Sequence, residues 1–376
     1  MNTFFKNFFL LLLTTLITLF IAEGMVRVFY PQEMSGSIKA LSSLGYALNR
    51  SYGSASIQQG TSRFVHYHFY PPALRDTKIN PNAIHILALG DSMTFGWLQP
   101  FKKTYLYHLQ SNLNHHFGNN QYQILNAASG GWGTAECLAY LKQFGALTHP
   151  KYVLVFIDSD DVGRAVALNI FKLQSKHSYA LTSNFRPFPH ARIKEFLNQG
   201  RWYNFLLEHS QLFQLIRNVF IKQASSAKAN QVFMDEHQHK NHFSLVFQRG
   251  PDTQEQLNYA VALGNALFYQ INQWCVQHRA KLLVVTTGYN AFYKPNAKDP
   301  TQAFLKQAPV FFQSQKIAFY DIAPQFKNAV KNKVFQLPGD SHLNDFGDQT
   351  VANLVWPWLV TNLTQRTYPA FQRKSR

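Results

Sequence analysis

Ser92 ends the run LALGDS (87–92), an apolar stretch that stops at Gly90 and hands over to a hydroxyl. A serine hydroxyl is a weak nucleophile until a neighbouring base takes its proton. A base of the right kind occurs far along the chain, in LPGDSHLNDFG (337–347), where Asp340 precedes His342 by two residues. A carboxylate so placed can orient an imidazole, fix its tautomer and stabilise its protonated form. Taken singly, neither piece is specific. Gly-Asp-Ser is an ordinary turn composition, and a lone loop histidine is more often structural or solvent-exposed.

Two further segments carry candidate chemistry. NAASGGWGT (126–134) holds Gly130, Gly131 and Gly133, which let a backbone approach a ligand closely. It does not fit a dinucleotide fingerprint, which belongs to the first strand–helix unit with an acidic residue after the second strand. FIDSDDVGR (156–164) crowds Asp158, Asp160 and Asp161 at a strand end. Helix capping is the plain reading of such acids. A metal site is conceivable, but no matching cluster is signalled elsewhere, so no metal and no cofactor is assigned. The imidazoles and acids of DEHQHKNH (235–242) lack strict ligand spacing and read as a solvated loop.

The elements that must position these residues come from the hydrophobic pattern. Short apolar runs at 84–89, 122–127, 152–157, 281–287 and 317–322 read as buried strands. Helical spacing appears at 105–117, 134–147 and about 253–279, and again in the last segment, where Pro357 should introduce a kink. Strands alternating with helices predict a parallel sheet covered on both faces. The rhythm breaks at about 165, and residues 165–251 read as a partly helical insertion that caps the sheet. Cys137 and Cys275 lie in helical segments without metal-type spacing and read as buried thiols, with a disulfide left open.

Composition bounds the setting. The 376 residues carry 36 Lys+Arg against 19 Asp+Glu, a formal charge of +17. That balance favours anionic surroundings, yet no basic run interleaved with aromatics and no nucleic-acid motif is present, so no nucleic-acid partner is assigned. From Asn7 to Ala22 no residue is charged, and Lys6 precedes the stretch. This predicts a single N-terminal membrane-spanning helix with its start in the cytoplasm. A cleaved signal peptide is the rival, with Ala22 at −1 but a poor Phe20 at −3.

The set in chain order — Ser, glycine loop, acidic strand end, Asp-x-His — resembles the SGNH/GDSL hydrolase family over residues 84–164 and about 281–362. The apolar start followed by AEGMVRVFYP, with LRD at 74–76, is similar to membrane-anchored bacterial members. The resemblance implies a three-layer α/β/α fold with a five-stranded parallel sheet, flavodoxin-like in topology, behind an N-terminal transmembrane helix. It divides the chain into an anchor (1–30), a juxtamembrane connector (31–82), a hydrolase-like domain (83–365) with the insertion at about 165–251, and a basic tail (366–376). It implies Ser92 as nucleophile, His342 as base, Asp340 as orienting carboxylate, and the Ser92 and Gly131 N–H groups as oxyanion donors. The family's third donor is an Asn side chain in a Gly-x-Asn-Asp block; here the block reads Asp158-Ser159-Asp160-Asp161, so Asp160 stands at that position. An ionised Asp160 would repel an oxyanion and could help only if protonated. The implied activity is cleavage of an acyl ester, on a small molecule or on an envelope glycan or lipid, by a single-pass inner-membrane protein with a periplasmic catalytic domain. An O-acyltransferase on the same triad and a non-catalytic binding or scaffold protein are the alternatives.

Overall fold

The computed structural model describes residues 3–59, 63–175, 178–185, 193, 196–198, 200–220, 254–292, 296 and 298–365. In chain order, helix α1 (Thr3–Phe29) leads to five short strands: β1 (Lys39–Leu41), β2 (Ala47–Asn49), β3 (Gly53–Gln59), β4 (Arg63–Tyr70) and β5 (Leu74–Arg75). Then come β6 (Ile84–Leu89), α2 (Ser92–Phe95), α3 (Tyr105–Phe117), β7 (Tyr122–Asn126), α4 (Thr134–Phe144), β8 (Pro150–Ile157) and α5 (Asp161–Leu168). After these lie β9 (Phe171–Leu173), β10 (Leu181–Ser183), α6 (Arg201–His209), α7 (Gln254–Gln277) and β11 (Lys281–Thr286). The chain continues with α8 (Pro300–Ser314), β12 (Ala318–Tyr320), α9 (Ala323–Ala329) and α10 (Asp345–Thr364).

The central sheet has the order β7-β6-β8-β11-β12 with every pair parallel. Successive side chains of a strand point to opposite faces, and the strands are apolar on both. Ile86, Ala88, Leu154, Phe156 and Leu283 join the core formed with Leu106 and Leu109 of α3 and Val351 and Val355 of α10. Their neighbours Leu87, Leu89, Val153, Val155 and Val284 join the core with Leu138 of α4, Phe268 of α7 and Phe304 of α8. A sheet buried on both sides needs near-continuous apolar strands, which is why these five runs are legible.

The strand order reverses at β6: β7 lies on one side of it and β8 on the other. In open α/β sheets such a switch point opens a crevice at the carboxyl ends of the strands. The segments that leave β6, β7 and β8 there are the serine, glycine and acidic segments.

Residues 31–82 hold more structure than a connector. β1 pairs with β2, and β3, β4 and β5 form a second small antiparallel sheet. This layer packs on the glycine loop and α4: Trp132 Nε1 donates to Ala47 O (2.6 Å), Asn49 Nδ2 to Ala128 O (2.8 Å) and the Tyr140 hydroxyl to Pro72 O (2.7 Å). Of the described part of the insertion, Ile170 and Phe171 join the core on one face of the sheet, with Leu173, Leu181 and Phe185 packed against it. The β9–β10 pair meets α7, with Tyr179 stacked on Tyr269, and α6 leans on β3, where Ser56 N–H donates to Glu208 Oε1 (2.8 Å). The 235–242 cluster and the basic tail lie outside the described residues. α10 runs unbroken through Pro357. Cys137 and Cys275 are free, buried thiols in one core cluster. α1 is long and apolar enough to cross a membrane, with mean hydropathy 2.2 over its most apolar window and no residue buried.

Candidate active site

The serine is delivered by the turn that closes β6. Asp91 caps α2, its Oδ1 accepting the Met93 N–H (2.9 Å). A Cβ on Gly90 would lie 2.1 Å from Thr94 Oγ1, so the chain can fold this tightly only with glycine there. Four further contacts hold the short helix from behind. The Tyr105 hydroxyl donates to Thr94 Oγ1 (2.7 Å), and the fully buried Arg75 donates to Phe95 O, to Gly96 O (2.6 Å) and to Gln99 O (2.6 Å). Arg75 thereby fastens the small β-layer to the serine turn.

The histidine arrives on the loop before α10. Gln99 Nε2 donates to Leu343 O (3.0 Å), tying this loop to the serine turn. His342 Nε2 stands 2.8 Å from Ser92 Oγ. On its other side, Asp340 Oδ1 accepts from both the His342 N–H (2.8 Å) and the ring Nδ1. One carboxylate oxygen therefore closes a tight backbone turn and orients the ring, which explains how a two-residue spacing suffices. Burial pushes the Asp340 carboxyl up, but hydrogen bonds from the His342 backbone and ring, with the ring's charge, hold it below the ordinary value. The His342 and Asp340 side chains are 18% and 28% exposed, so the chain of hydrogen bonds opens to solvent. Trp97 stands against the His342 ring at 6.3 Å between centroids.

The glycine loop forms the facing wall. A Cβ on Gly130 would lie 3.7 Å from Ser92 Cβ, so this backbone sits beside Ser92. Gly131 has φ +78°, a left-handed conformation that favours glycine. Among the described residues, neither the Ser92 N–H nor the Gly131 N–H has an acceptor.

Asp160 takes a different part from the one expected of a protonated acid. Its Oδ2 accepts from Arg164 Nε and Nη2, both at 2.7 Å, one helical turn on. A carboxylate paired in this way is an acceptor, and it offers no proton to an oxyanion. Behind it, burial pushes the carboxyls of Asp91, Asp158 and Asp161 up; the charge of Asp91 adds to the rise at Asp158 and Asp161, while at Asp91 the Arg164 charge opposes it and the Asp160 charge adds to it. Asp91, Asp160 and Asp161 each present an oxygen within 4.8 Å of the others. Arg164 on Asp160 and the upward shift of the other two reduce the negative charge a cation would need.

Of the residues singled out from the sequence, Ser92, His342, Asp340 and Gly131 come together; Asp160 lies beside them but turns to Arg164. Lys39, Arg75, Gln99 and Arg164, which shape this site, were not singled out. Arg75 and Arg164 stand in the LRD and FIDSDDVGR segments; no pattern marks Lys39 or Gln99.

No protein-family model matches the chain, and no curated protein sequence matches it. Among solved structures it is similar to TesA, at 14% identity and TM-score 0.40 over 73% of this chain and 97% of that one. It is similar to an acetyl xylan esterase, AlAXEase, at 14% identity and TM-score 0.40 over 73% and 100%. A third is the psychrotrophic esterase EstA from Pseudoalteromonas sp., at 11% identity and TM-score 0.41 over 74% and 98%. Likeness at this level carries nothing about activity or substrate.

Proposed function

We propose that this chain is a serine hydrolase that cleaves an acyl ester through an acyl-enzyme. The observation that carries the reading is the continuous hydrogen-bonded chain Ser92 Oγ–His342 Nε2, His342 Nδ1–Asp340 Oδ1 at the switch point of the sheet. It has the three parts that nucleophilic acyl transfer needs: a hydroxyl, a base in contact with it, and a carboxylate fixing the base.

In this reading His342 Nε2 takes the Ser92 proton as Oγ attacks the ester carbonyl carbon. The carbonyl oxygen gains the negative charge and faces the Ser92 and Gly131 N–H groups, which have no other acceptor among the described residues. The C–O bond to the alcohol breaks as His342 returns the proton to that oxygen. Water, deprotonated by His342, then attacks the acyl carbon, and His342 returns that proton to Ser92 Oγ as the C–Oγ bond breaks, releasing the acid and restoring Ser92.

The site is an open edge flanked by Trp97 and the glycine loop, which suits an ester borne on a larger molecule. With α1 in a membrane and Lys6 on its cytoplasmic side, the hydrolytic face lies on the far side of that membrane. An O-acylated envelope glycan or lipid fits this setting and the +17 charge. The test is turnover of short acyl esters by purified wild type, Ser92→Ala and His342→Ala. The reading expects wild-type turnover and a loss of about 10³-fold or more in each variant; turnover unchanged in Ser92→Ala would overturn it.

A further inference from the structure

The peptide unit that joins Gly130 to Gly131 presents its N–H on one side and its carbonyl on the other, as a trans peptide must. The N–H side is the oxyanion donor of the proposed hydrolase, and any role of Lys39 in catalysis rests on that reading. The carbonyl side is occupied. Lys39, on β1 of the small N-terminal β-layer, donates its Nζ to Gly130 O across 91 residues of sequence. The ammonium is mostly buried. Among the described residues no carboxylate lies within ion-pairing distance of it, and Gly130 O is its hydrogen-bond acceptor. The Glu136 carboxylate attracts it and Arg164 repels it, neither within ion-pairing distance, so burying this cation costs stability, and a hydrophobic residue would close a β-layer at less cost.

We infer that Lys39 is a positioning residue of the oxyanion site: its ammonium pins the Gly130–Gly131 peptide and polarises it, so that Gly131 N–H becomes a stronger and better aimed donor. General chemistry and two observations support this. Hydrogen bonds to a charged donor are roughly twice as strong as neutral ones, and a bond made at one end of an amide strengthens the bond made at the other. Gly131 is held at φ +78° with no side chain of its own to lock it, so an external tether must set its orientation. The next carbonyl but one is held in the same fashion, Arg164 Nη1 donating to Trp132 O at 3.2 Å, while Glu136 Oε2 accepts the Gly133 N–H at 3.0 Å. The loop is thus tethered by two cations on its carbonyls. That arrangement answers the loss at Asp160. Where the resembled family places an amide donor, this chain has a carboxylate already taken by Arg164, and the remaining backbone donors must do more.

The experiment is steady-state kinetics on a short chromogenic acyl ester with full-length wild type, Ser92→Ala, Lys39→Met, Lys39→Gln and Lys39→Arg. Turnover in wild type that vanishes in Ser92→Ala establishes the hydrolase; turnover independent of Ser92 sinks that reading and this one with it. Given Ser92-dependent turnover, Lys39→Met should lose about ten- to a hundredfold in kcat, short of the 10²–10³ for removing a whole donor. KM should stay within about twofold. Lys39→Arg, which keeps a charged donor, should retain most of kcat, and Lys39→Gln, a neutral donor, should fall between. If Lys39→Met does not fold, the Gln and Arg variants decide. Equal kcat in wild type and Lys39→Gln, or a loss in Lys39→Arg as large as in Lys39→Gln, would overturn the role of the charge while leaving the hydrolase standing.

Discussion

At the scale of single residues, the site divides into groups that a sequence announces and groups that it hides. Ser92, Asp340 and His342 sit in short motifs whose spacing is itself chemical: a glycine turn before a hydroxyl, a carboxylate two residues from an imidazole. Lys39 carries no such mark. It is one of 36 basic residues, and only folding brings it to Gly130. Asp160 was visible as a departure, but its ion pair with Arg164 was not, although an i, i+4 pair on a helix is a common one. The pair shapes a prediction. In the proposed hydrolase, Asp160→Asn removes a negative charge from the position of the resembled family's third oxyanion donor and supplies an amide N–H, so kcat near neutral pH should rise, by about tenfold as a fraction of a full donor's worth. Steady-state kinetics at pH 7 read this directly; an unchanged or lower kcat would argue that Asp160 does not face the oxyanion.

At the scale of elements, the five parallel strands and the helices over 105–117, 134–144 and 254–277 were legible because both sheet faces are buried and the helices carry clear apolar stripes. The strands of 31–82 were not. They are two to eight residues long, interrupted by Gly, Ser and Pro, and they become buried by lying on α4 and the glycine loop. Helix α4 carries a prediction of its own. Glu136 in its first turn is fully buried, and burial pushes its carboxyl up to about 7 against an ordinary 4.5, in spite of the Gly133 N–H bond and the charges of Arg164 and Lys39. A raised acid stabilises the fold fully below its unfolded value, and that stability is lost as pH rises through the folded value. From pH 4.5 to above 7 this group alone should therefore cost about 3 kcal/mol. Glu136→Gln cannot ionise, so its stability should fall less steeply with pH over that window. Chemical denaturation at pH 5 and pH 8 checks it; identical slopes in the two proteins would contradict the buried, ionising Glu136.

At the scale of the whole molecule, the chain joins an apolar helix, a small β-layer and a doubly covered sheet. α1 is not separate from the rest. Glu23 accepts from Ser210 Oγ (2.8 Å) and from the Gln211 and Leu212 N–H groups (2.9 Å each), and Arg27 donates to His209 O (2.5 Å). With these contacts at its C-terminal end, a membrane-inserted α1 would hold the described insertion residues and the β-layer close to the bilayer surface. The full chain should stay with membranes through alkaline carbonate washing, and release into the soluble fraction would contradict an inserted α1. The β-layer contributes Arg75 to the serine turn and Lys39 to the glycine loop.

The central claim is that Ser92 is a nucleophile activated by His342. The measurement that tests it most directly is covalent labelling of the purified full-length protein with a serine-directed fluorophosphonate, read by intact mass and by peptide mapping. One phosphonyl group per chain is expected, on Ser92, absent in Ser92→Ala and formed far more slowly in His342→Ala. No labelling of the folded wild type, or labelling that persists unchanged in Ser92→Ala, would contradict it.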